Sequence, residues 1–83
     1  MATMSDHLDS EHFSYARTWD EIENMLHKAE RKQNYWITLF HKAKRDDDKS
    51  LMKECARNKK ALEGVIKTLR WTLGDKEISH PLE

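Results

Sequence analysis

Turn-forming residues are scarce. The 83 residues include only two glycines and one proline. A multi-stranded β fold needs such residues at its turns, so that class is excluded. The single cysteine rules out an intramolecular disulfide and any multi-cysteine zinc site. No apolar run approaches the roughly 18 residues of a membrane span, and the polar start does not read as a secretion signal. The expected setting is therefore intracellular and cytoplasmic, with no membrane partner.

What is present is a balance of 37% hydrophobic and 36% charged residues, with three Trp, two Tyr and two Phe. That mix is too charged for a large core and too well supplied with apolar anchors for a wholly disordered chain. One small domain is the most that this length supports. The 15 basic and 15 acidic residues cancel to a net charge of zero, but they are unevenly placed. Residues 1–30 carry seven acids and two bases (−5), residues 31–70 twelve bases and five acids (+7), and residues 71–83 three acids and one base (−2). Such a split suits either solvated helices or a nucleic-acid contact.

Residues 1–17 show no sustained period and read as a flexible segment, with Phe13 and Tyr15 able to fold back on the body. Thr18-Trp19-Asp20-Glu21 then fits a capping box, in which the Thr hydroxyl and the Glu carboxylate each accept from the other's backbone N–H. From there Trp19, Ile22, Leu26, Ala29, Gln33, Trp36, Phe40 and Ala43 recur at alternating spacings of three and four, the seam of a packed helix pair. The first helix is expected over about 19–45. Basic Lys42, Lys44 and Arg45 suit its negative end. Asp46-Asp47-Asp48 makes the break. A second helix is expected over about 48–73, with Leu51, Met52, Cys55, Leu62, Val65, Ile66, Leu69 and Leu73 as its apolar set and a polar gap at Asn58 and Lys59. Gly74 follows as its C′ residue, and 75–83 read as a flexible tail. Leu82-Glu83 reads as a remnant of a cloning junction.

So short a connection makes the helices antiparallel, and the fold class is all-α: a two-helix, coiled-coil-like hairpin over 18–74. Facing residue numbers should sum to about 95, which places Phe40 near Cys55, Ala29 near Ile66, Leu26 near Leu69, and Ile22 near Leu73. Gln33 is the polar member of the row, either a tolerated amide or a determinant of register. Two helices share one interface, so each apolar stripe stays half wet. Tyr35, Ile37, Leu39 and Trp71 lie off the seam and are the expected partner or oligomer face. The expectation is that a second copy buries them in a homodimeric four-helix bundle; the alternative leaves them exposed on a marginal monomer. Gly64, seven residues before Trp71, is a place where another helix could approach closely.

Catalysis finds little support. Neither glycine lies in a phosphate-cradling loop. His7, His12 and His80 fall near the chain ends, while His27 and His41 are too far apart to share a metal. His27 with Glu23 or Glu30 offers two ligands where three or four are usual. Cys55 on the apolar stripe reads as a small buried hydrophobe. Asp46, Asp48 and Ser50 resemble the start of an EF-hand loop, but Leu51 and Arg57 stand where Gly and Glu are required. The expectation is a non-enzymatic chain with no catalytic residue, metal or cofactor, acting on an unidentified protein partner. The alternative is a nucleic-acid-binding dimer using the bases near the turn: Lys42, Lys44, Arg45, Lys49, Lys53, Arg57 and Lys60.

The stretch from Lys60-Ala61-Leu62-Glu63 to Leu69-Arg70-Trp71-Thr72-Leu73-Gly74 resembles the last helix of small uncharacterised bacteriophage and prophage hairpin proteins, which often end in a Leu-x-Trp-x-Leu-Gly cap. The resemblance covers about fifteen residues of helix and cap. It implies a phage or prophage accessory protein and carries over no functional residue.

Overall fold

The computed structural model describes residues 16–82. Most of the flexible segment expected over 1–17, with Phe13 and Tyr15, lies outside the described residues. Within them are two α-helices, α1 (Trp19–Arg45) and α2 (Lys49–Thr72), packed on each other as a hairpin, with no strand among the described residues.

Both ends of each helix are closed by local hydrogen bonds. At the start of α1 the Glu21 N–H donates to Thr18 Oγ1 at 3.1 Å, and the Thr18 N–H donates to Glu21 Oε1 at 2.9 Å. This is the expected capping box. At its end Asp47 takes a positive φ of 55°. Its N–H donates to Lys44 O at 3.2 Å, and the Asp48 N–H to Ala43 O at 2.9 Å, a Schellman closure. Asp48 then starts α2, because its side chain accepts from the Leu51 N–H at 3.1 Å. Asp48 and Leu73 are therefore the caps of α2 rather than its first and last residues.

The same closure recurs after α2. Gly74 has φ 89°, its N–H donates to Trp71 O at 3.0 Å, and the Asp75 N–H donates to Arg70 O at 2.9 Å. Beyond it, residues 75–82 form turns held by Asp75, which accepts from the Glu77 N–H at 2.9 Å and the Ile78 N–H at 3.2 Å. Pro81 and Leu82 come back beside Lys60, Glu63, Gly64 and Lys67 on α2.

Between the helices the buried residues are Ala29, Ala43, Cys55 and Ile66. Three of these four are small, which lets the two backbones approach closely. Around them Ile22, Leu26, Trp36, Phe40, Leu62, Leu69 and Leu73 are half-buried. The register agrees with the sequence pattern where it is visible. Phe40 and Cys55 border one hollow, and Ile22 and Met25 border another with Leu69.

Three expectations are corrected. Trp19, placed on the seam, is 64% exposed; it lies at the open end, about level with the residues that follow α2. Val65, placed in the apolar set, is exposed, while Asn58 from the supposed polar gap is half-buried. The observed seam of α2 runs Met52, Cys55, Asn58, Leu62, Ile66, Leu69 and Leu73. Asn58 fits because its Nδ2 donates to Glu54 O at 3.0 Å, giving part of its amide a partner on its own helix. Finally, a Cβ placed at Gly64 would meet nothing within 4 Å. No close approach in the hairpin requires this glycine.

Candidate interaction faces

A two-helix hairpin has two broad faces and two outer edges, and side chains seven residues apart share one of them. The ion pair between Arg70 Nη2 and Glu30 Oε2, at 3.0 Å, marks one face. Ile37, seven residues after Glu30, and Glu63, seven before Arg70, belong with it, and Ala56 and Glu63 border the Phe40 hollow on that side. The opposite face carries Met25, Lys32 and Leu39, again seven apart, and on α2 Asn58, Val65 and Thr72.

The four expected partner residues therefore do not form one patch. Tyr35 and Leu39 fall on the second face beside Met25 and Val65. Ile37 falls on the first, half-buried. Trp71 points along the outer edge of α2. The large apolar residues left open are Tyr35 at 57%, Met25 at 55%, Trp71 at 48% and Val65 at 44%, besides Trp19 and Leu82. Met25 and Val65 were absent from the expected partner set because each also fits the flank of an apolar stripe. The signal that separates them is the cross-helix pair, which fixes how each helix is rotated.

Tyr35 and Trp36 meet edge to face with ring centres 5.2 Å apart. The two rings border a hollow with Lys28, Arg31 and Lys32.

All seven bases singled out near the turn (Lys42, Lys44, Arg45, Lys49, Lys53, Arg57 and Lys60) are exposed. Lys60 pairs with Glu63 at 3.4 Å. Lys49, Lys53, Arg57 and Lys60 recur at spacings of four, four and three, so they form one line on the outer edge of α2 that continues through Lys67 to Trp71. In the half of the described hairpin nearest the turn, residues 31–64, ten bases face five acids (+5). The remaining described residues carry five bases and six acids (−1).

Among the described residues no group of three His, Cys, Asp or Glu could hold a metal ion. Cys55 is fully buried, and burial pushes its thiol above the ordinary range, helped by the nearby charges of Glu54 and Asp48. A thiol held in its protonated form is a poor nucleophile. No described helix is long and apolar enough to cross a membrane.

Comparison of the chain with protein-family models, with curated proteins and with solved structures finds no match.

Proposed function

We propose that this chain is a non-enzymatic interaction module: a helical hairpin that self-associates into a dimeric four-helix bundle and presents its surface to another macromolecule. The observation that carries this reading is the combination of a thin core and open apolar surface. Four residues are buried, while Met25, Tyr35, Val65 and Trp71 each remain about half exposed. Exposed apolar groups of this size are unfavourable in water when clustered, and a second helical layer on the face of Met25, Tyr35 and Val65 would cover those three. The phage or prophage setting implied by residues 60–74 is part of the same proposal, as is an intracellular location.

The test is solution mass by sedimentation or light scattering over a hundredfold range of concentration. A stable mass of twice the 9.9 kDa chain supports the module; a monomer throughout overturns its self-association.

The basic line on α2 favours a second reading, contact with nucleic acid. Lys49, Lys53, Arg57 and Lys60 share one exposed edge, where phosphate contacts could form. Reversing Lys49, Lys53 and Arg57 to Glu should abolish such binding and leave protein partnering intact. Affinity that stays flat as salt rises argues against it, because phosphate contacts release counterions.

A further inference from the structure

We propose that two copies of this chain pack through the face bearing Met25, Tyr35, Leu39 and Val65, with their turns at opposite ends. The inference rests on the self-association proposed above and assigns it a face and an orientation.

The face is set apart first by its apolar content. Met25 and Tyr35 are the most exposed large apolar residues of α1 after Trp19, and Val65 holds that position on α2 apart from the edge residue Trp71. The opposite face instead carries the Glu30–Arg70 pair and Glu63, whose charges resist burial.

The polar groups of the face point the same way. Nine of the 24 residues of α2 are charged, yet Asn58, Ala61, Val65, Thr68 and Thr72 form a heptad row without one. Thr68 Oγ1 donates to Gly64 O at 2.9 Å, and Thr72 Oγ1 to Thr68 O at 2.8 Å. Asn58 donates to Glu54 O. Both hydroxyl hydrogens and one amide hydrogen thus have partners already, so covering the row does not orphan them. Among the described residues the charges near the middle of the face are Lys28 and Lys32, whose long stems let the ammonium groups reach the rim, while Glu21, Lys42 and Glu54 lie toward its ends.

Size allows a stable contact. A face about 40 Å long and two helices, about 20 Å, wide offers roughly 800 Å² per copy, the area of a standard interface.

Charge decides the orientation. Turns at the same end would place +5 beside +5. Turns at opposite ends place each +5 half beside a −1 half. A twofold axis near Val65 then sets Val65 against its own copy and Asn58 level with Thr72 of the second copy. It brings Met25 near the second copy's Tyr35, a sulfur–aromatic contact, and turns Lys53 toward the end that holds Glu77.

The experiment combines two variants with one distance. Val65→Arg on the face should weaken dimerisation by at least about tenfold, because it adds a cation beside Lys28 and Lys32 with no carboxylate to pair it. Ala56→Glu, exposed on the opposite face, should leave the mass unchanged. Circular dichroism confirms that each hairpin remains helical, and Thr68→Arg repeats the test on the same row. A spin label on Lys49→Cys then reports orientation, since fully buried Cys55 will not take the label. Opposed turns place the two labels roughly 50 Å apart, from 16 residues on either side of the axis at 1.5 Å each. A dimer that ignores Val65→Arg and Thr68→Arg, or labels closer than about 30 Å, overturns the face or the orientation while leaving self-association standing. A wild-type chain that stays monomeric removes both.

Discussion

Arg70 donates from Nη2 to Glu30 Oε2 at 3.0 Å, joining the last turns of α2 to the middle of α1. Both side chains are partly exposed, so the pair marks how the helices are rotated but adds little stability. A double-mutant cycle with Glu30→Ala and Arg70→Ala should give a coupling of about 0.2–1 kcal/mol that shrinks as salt rises. Exchanging the residues, Glu30→Arg with Arg70→Glu, should recover part of it.

Asp48 serves both helices, through its N–H for the end of α1 and its carboxylate for the start of α2. Asp48→Ala removes only the second bond. Chemical denaturation should report a loss of about 1 kcal/mol, and Asp48→Asn should retain most of the stability.

Backbone conformation sets opposite signs at three positions. Asp47 holds a left-handed φ of 55° that glycine adopts more easily, so Asp47→Gly should raise stability by up to about 1 kcal/mol. Gly74 at φ 89° should show the reverse, Gly74→Ala lowering stability by about 1 kcal/mol. Gly64 lies inside α2 with open space where a Cβ would stand, so Gly64→Ala should stabilise by about 0.5–1 kcal/mol. Thermal melts of the three variants check all three signs.

The capping box should respond to acid. The backbone hydrogen bond from Thr18 holds the Glu21 carboxyl below its ordinary value of 4.5, with its side-chain bond and Arg17 assisting against some desolvation. A carboxyl lowered on folding stabilises the fold above its unfolded value. That contribution is lost as pH falls through the folded value. Unfolding midpoints should therefore drop as pH falls below 4.5. Glu21→Gln, which keeps an acceptor for the Thr18 N–H, should flatten that part of the profile.

The local chemistry of this fold could be read from the chain alone. Thr18 with Glu21, Asp48 with Leu51, and Gly74 with Trp71 are partners within a few residues, so their hydrogen bonds follow from residue type and spacing. The alternating threes and fours of α1 likewise placed Ala29 and Ala43 inside, because a helix repeats its face whatever it packs against. Rotation of α2 was different. Val65 and Ile66 are adjacent and both apolar, so periodicity could not choose between them, and a self-bonded Asn58 could take a seam position that its polarity seemed to forbid. Trp19 kept the seam spacing but lies where α2 has already ended. Tyr35, Ile37, Leu39 and Trp71 read as one group along the chain, yet the packing of α1 on α2 divides them among two faces and an edge. A sequence determines which side chains share a helix face; only the second helix, held by contacts forty residues apart such as Glu30 with Arg70, decides which of those faces loses its water.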